Sequence, residues 1–205
     1  LLKEVFITLL SNYTKDVDYI KSLWSDVVKY HSKRNRHYHN LSHLEHLYHN
    51  LTEVKNEIKD WDMVIFALFY HDYIYNALKQ DNEAQSAKKA VEILHALSID
   101  KHRSLLCKEI ILATKGHNIS KNSDINYFTD ADLSILGSDW ENYQVYFKNV
   151  RKEYKYYPDF MYNKGRIKVL NHFITMPAIF KTDYFYHKFE LRAKENLRQE
   201  IDFLS

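Results

Sequence analysis

The chain has 205 residues, 45% of them hydrophobic, which suits one folded domain and excludes wholesale disorder. Its formal net charge is +2 with neutral histidines, too near balance to point to nucleic acid, and the charges are interspersed as on solvated helical faces. One cysteine, Cys107, excludes an internal disulfide and a cysteine-built zinc site. Gly and Pro together number five, which starves the chain of hairpin turns, while 12 histidines and 17 tyrosines stand out.

The amphipathic spacing predicts helices nearly throughout. Val5 to Leu10 starts one. Asp16 to Tyr30 places Val17, Ile20, Leu23, Trp24, Val27 and Val28 at helical intervals. His31 to Arg36 is polar and reads as a loop. Ser42-His43-Leu44-Glu45 matches a capping box, so a helix is expected from about Ser42 to Lys55. Asp60 to Tyr75 is apolar nearly all round, as a central buried helix would be.

Glu83 to Leu97 and Lys101 to Lys115 are amphipathic. Asn118 to Asn126 reads as a polar loop, followed by a short helix from Ala131 to Leu136 that Gly137 ends. Trp140 to Tyr157, Asp159 to Met176 and Tyr184 to Leu204 complete the set, with Pro158 and Pro177 as stops. No period-2 strand pattern, internal repeat or Gly-rich phosphate loop is present. The expected fold is an all-α compact helical bundle, one domain over 1–205, its core at about 35–200 with the N-terminal helices packed on it. No apolar run reaches the roughly 18 residues a membrane span needs, and Leu1-Leu2-Lys3-Glu4 does not read as a signal peptide. A cytoplasmic location without membrane partners is expected.

Three clusters carry chemistry. His71-Asp72 close the apolar run Met63 to Tyr70, where two titratable groups need a partner. Either a metal or a mutual hydrogen bond would satisfy them. His39 and His43 are spaced i, i+4, while His37, His46 and His49 fit a solvated polar run. Asp130 and Asp132 precede an apolar stretch, and Asp130 fits a helix cap.

The order His, His-Asp, Asp resembles the HD phosphohydrolase superfamily, whose all-α fold binds a divalent metal through those four residues. Tyr38-His39-Asn40-x-x-His43 and Ala131-Asp132-Leu133-Ser134 are similar to segments of class I cyclic nucleotide phosphodiesterases in that superfamily. Ile111-Leu112-Ala113-Thr114 with His117 also resembles a segment near their site. From roughly residue 35 to 200 the chain is similar to proteins described as metal-dependent HD phosphohydrolases. The matching pieces include Asn82-Glu83-x-x-Ser86-Ala87, Asp132 to Gly137, Arg151-x-Glu153-Tyr154, Gly165-Arg166 and Ala193-x-x-Asn196-Leu197. The chain is shorter than a phosphodiesterase catalytic domain and lacks a recognisable purine-gripping glutamine and aromatic clamp, so cyclic nucleotides are not implied.

The resemblance implies His43, His71, Asp72 and Asp132 as metal ligands and His39 as proton donor to the leaving oxygen. Asp72 would bridge any second ion, and Glu83 would orient a ligand or water. Lys115, Arg151 and Arg166 are candidate phosphate clamps, each also read as a surface salt bridge, and His117 is read as supporting the site from outside the ligand set, with a further ligand as the alternative. Mixed N/O ligands suit Mn, Fe, Co, Ni or Zn, with Mg only as a second ion. The implied reaction is hydrolysis of a nucleotide or other small phosphate ester. The alternatives are a di-iron oxygenase on the same scaffold and a non-catalytic metal-binding helical protein.

Overall fold

The computed structural model describes residues Leu1–Ser205 and contains ten α-helices and no strand. By contact, the chain divides into two compact units, Leu1–Thr129 and Asp130–Ser205. No helix is long and apolar enough to cross a membrane.

The first unit holds α1 (Leu2–Ser11), α2 (Val17–His31), α3 (Leu41–Glu53), α4 (Trp61–Tyr70), α5 (Asn82–Ala96) and α6 (Lys101–Ala113). It also holds the start of α7 (Ser123–Leu133). Helix α4 is its hub: Met63 through Tyr70 are all buried, and α3, α5 and α6 pack around them. That all-round apolar helix can exist only where neighbours cover every face. Phe6, Trp24 and Phe69 form an aromatic cluster that joins α1 and α2 to α4.

Polar side chains fix the ends. Asp60 caps α4 at Met63 N and takes two 2.7 Å hydrogen bonds from Arg103, which pins α6. The buried Asp124 carboxylate accepts from the backbone N–H groups of Lys59 and Asp60, both at 2.9 Å, and so docks the first turn of α7 on the entrance to α4.

The second unit opens with the last four residues of α7. A 3₁₀ turn (Ser134–Gly137), α8 (Trp140–Glu153), α9 (Asp159–Thr175) and α10 (Asp183–Leu204) follow. Helix α10 packs on α9 and on the 3₁₀ turn. Buried Asn196 donates to the carbonyls of Leu136 and Ser138, both at 2.8 Å. Buried Asp130 accepts from Lys181 N and Thr182 N and pairs with Lys181 Nζ at 3.0 Å, capping α10 from a distance in sequence.

Several boundaries differ from the sequence expectation, and at three of them a side-chain partner takes a backbone group. Helix α3 starts at Leu41, since Asn40 rather than Ser42 is its cap; Asn40 Oδ1 accepts from Ser42 N at 2.9 Å. Helix α4 stops at Tyr70 instead of Tyr75, because Ile74 N donates to Ser86 Oγ and the Tyr73 carbonyl accepts from Arg36. The polar stretch expected as a loop to Asn126 is already helix from Ser123, capped by Asn122 Oδ1 accepting from Asp124 N. Asp132 therefore ends a helix, where the first turn of a following one was expected.

Two glycines give opposed predictions. A Cβ on Gly137 would meet Phe189 at 2.5 Å from its Cβ and 2.7 Å from its carbonyl oxygen. Gly137→Ala should lower the urea unfolding free energy by about 1–3 kcal/mol. Gly165, inside α9, has open space around such a Cβ. Gly165→Ala should raise the same quantity by about 0.5–1 kcal/mol.

Candidate metal centre

The end of α4 explains the first two groups. His71 still donates its backbone N–H to Ala67 O at 2.8 Å, so its ring is held at the tip of the most buried helix. Its Nδ1 lies 3.0 Å from Leu68 O, which assigns the proton to Nδ1 and leaves a lone pair on Nε2. The ring of Phe128 on α7 packs edge-on against it at 5.6 Å. Asp72, the next residue, has a side chain 17% exposed, at the edge of the buried region.

His43 comes from the first turn of α3. The Asn40 cap fixes that turn, and Asn40 Oδ1 also lies 3.4 Å from His43 N. The His43 side chain is 3% exposed. Its Nε2 stands 3.2 Å from His71 Nε2 and 3.7 Å from Asp72 Oδ2, while His71 Nε2 to Asp72 Oδ2 is 3.2 Å.

These three atoms form a nearly equilateral triangle. The circle through them has a radius of about 2.0 Å, matching the roughly 2.0–2.2 Å of zinc-type bonds to imidazole nitrogen and carboxylate oxygen. The two imidazole nitrogens and the Asp72 oxygen would hold such an ion, with His43 then carrying its proton on Nδ1. The donor set therefore fits a divalent cation. It also fits electrostatically. Burial alone would raise the pKa of Asp72, but the imidazoles of His71, His39 and His43 outweigh it and hold the group well below the usual carboxylate range.

Helix α7 carries Asp132 one turn beyond Phe128. His43, His71 and Asp132 make up a group that could hold a metal ion. Asp130, the neighbouring acid, is engaged with Lys181 and Thr182.

No family model, curated protein or solved structure matches the chain.

The other predicted site residues separate. His39 is brought to the cluster: its ring centroid lies 5.8 Å from that of His43, and it stacks on Tyr75 at 4.3 Å. Glu83 stands half-exposed in the first turn of α5, and no hydrogen bond or ion pair ties it to His43, His71 or Asp72. Lys115 is exposed and donates to Gln80 O at 2.5 Å, bracing the segment before α5. Arg151 ties the α8–α9 connection together through Asp159 and the carbonyls of Tyr154 and Tyr157. Arg166, its side chain 11% exposed, forms two hydrogen bonds with Glu200. His117 follows α6 in a left-handed conformation, φ 50°, and is half-buried.

Sequence reasoning missed two residues beside the cluster. His31 and Arg36 were assigned to a polar loop, yet both are buried. His31 ends α2 with Nδ1 3.0 Å from Val27 O, and its Nε2 has no hydrogen-bond partner. Burial pushes its pKa down to about 3, helped by the Arg36 charge and opposed by Val27 O and Asp72.

An unfolded imidazole titrates near 6.5. Between that value and about 3, the unfolded chain binds a proton that folded His31 refuses. Stability from this group is thus complete above pH 6.5 and is lost as pH falls, by at most about 1.4 kcal/mol per pH unit. Urea titrations between pH 7 and pH 4.5 should give a shallower acid slope for His31→Gln than for the wild type. Parallel slopes would contradict the assignment.

Proposed function

We propose that this protein is a metal-dependent phosphohydrolase of the HD type, with His43, His71, Asp72 and Asp132 as the ligand set. The observation that carries the metal is the triangle of His43 Nε2, His71 Nε2 and Asp72 Oδ2, whose radius suits a bound divalent ion. The phosphate substrate is taken from the motif resemblance, chiefly Tyr38-His39-Asn40-x-x-His43 and the Asp132-Leu133-Ser134 segment.

When bound, a divalent ion supplies Lewis acidity: it lowers the pKa of water and polarises a phosphoryl oxygen. The residues do the rest. His71 keeps its lone pair directed inward because Leu68 O holds the opposite proton. Asp72 remains a carboxylate at neutral pH because three imidazoles stand beside it. His39, stacked on Tyr75 and half-exposed, would hold a proton and pass it to a leaving oxygen. Two nitrogens and carboxylate oxygens suit Mn, Fe, Co, Ni or Zn.

His71→Ala and Asp72→Ala should each reduce bound metal, measured by elemental analysis, to background and abolish hydrolysis. Unchanged metal in both would remove the site assignment. His39→Ala should retain metal and lose about 10²–10⁴-fold in kcat, most for substrates with poor leaving groups. Metal loss in that variant would make His39 a ligand instead.

The activity itself is tested by a screen of divalent metals against nucleoside mono-, di- and triphosphates, cyclic nucleotides and an aryl phosphate. Release of phosphate or alcohol with one metal class is the expected result. Metal bound without any turnover across the screen would leave a binding protein, and oxygen consumption by an iron-loaded sample would make it an oxygenase.

A further inference from the structure

Arg36 lies between α2 and α3 and is only 5% exposed. Its Nη1 donates to the carbonyl of His39 at 2.9 Å, and its Nη2 donates to the carbonyl of Tyr73 at 2.9 Å. The two acceptors belong to the two irregular segments that flank the candidate metal centre. His39 precedes the α3 cap that fixes His43. Tyr73 directly follows His71-Asp72. The guanidinium also faces the Tyr75 ring, with Cζ 5.4 Å from its centroid, and the His39 imidazole stacks on the same tyrosine at 4.3 Å. Arg36 and His39 thus both contact Tyr75, and the same arginine grips the backbone of both segments, at His39 and at Tyr73.

We propose that Arg36 is the positioning residue of this centre. It sets the distance between the segment carrying His39 and His43 and the segment carrying His71 and Asp72. The inference rests on the metal reading given above.

The physical argument is one of shape. A guanidinium is planar and rigid, with donors at fixed separation, so two carbonyls bound to its two terminal nitrogens are held at one spacing. A lysine ammonium is a point donor on a flexible stem and cannot hold both. Burying a cation is costly, and the two carbonyls and the Tyr75 face offset part of that cost, which keeps the arginine in place. His39 and Tyr73 both lie outside the regular helices, in segments held locally by turn bonds such as Asn40 N to Tyr38 O and Tyr73 N to Tyr70 O, which do not tie one segment to the other. A ligand triangle with edges of 3.2 to 3.7 Å tolerates little drift before one ligand leaves bonding range.

The test is a Co²⁺ titration of metal-free wild type, Arg36→Lys and Arg36→Ala, followed by visible absorption, with far-UV circular dichroism and urea unfolding on the same samples. Co²⁺ affinity should fall about 10- to 100-fold in both variants. The absorption band should shift, helix content should be unchanged, and millimolar guanidinium ion should restore the wild-type band to Arg36→Ala. Should Arg36→Ala not fold, Arg36→Lys, which keeps the charge, carries the same comparison. Variants that bind Co²⁺ with wild-type affinity and spectrum would overturn the proposal while leaving the metal centre intact. A wild-type protein that binds no Co²⁺ would overturn the metal reading, and this proposal with it.

Discussion

Two imidazole nitrogens 3.2 Å apart in a protein interior constrain everything around them. Lone pair cannot face lone pair at that distance without a proton or a cation between them. His71 is already fixed as an Nδ1 donor by Leu68 O, so its lone pair points at His43. The Asp72 carboxylate then favours whatever positive charge occupies the gap. Helix α4 must be apolar on every face so that this one end stays dry and rigid. The helices around it follow from the need to cover those faces.

The two histidines reach that geometry by different routes. His71 inherits its position from the backbone ladder of α4, whose residues Met63 to Tyr70 are all buried. His43 depends on a cap: Asn40 stops the chain from fraying before Leu41, and the first turn of α3 is placed by two side-chain-to-backbone bonds. Caps of this kind contribute only about 1 kcal/mol, so the position of His43 would be soft if Asn40 acted alone. Arg36 and the Tyr75 stack supply the missing rigidity.

Periodicity made the helices legible, because almost no Gly or Pro interrupts the apolar spacing. His71-Asp72 were legible for a sharper reason: titratable groups at the end of an eight-residue apolar run need an explanation on energetic grounds alone. The start of α7 was not legible. Asn122, Ser123, Asp124 and Asn126 look like a solvated loop, yet Asn122 caps the helix and Asp124 turns inward to accept two amides from the entrance to α4. Composition records polarity but not the direction in which a polar group finds its partner.

The same blindness hid Arg36 and misread Asp130. Arginine in a polar stretch reads as surface, because the carbonyls that make its burial tolerable lie 37 residues away in sequence for Tyr73. Asp130 was expected to cap its own helix, and it caps α10 at Lys181 and Thr182 instead. That displacement matters for the site. Two acids stand two residues apart near the end of α7, and the buried one is fully engaged by amides and an ammonium. The half-buried one, Asp132, belongs to the group with His43 and His71 that could hold a metal ion.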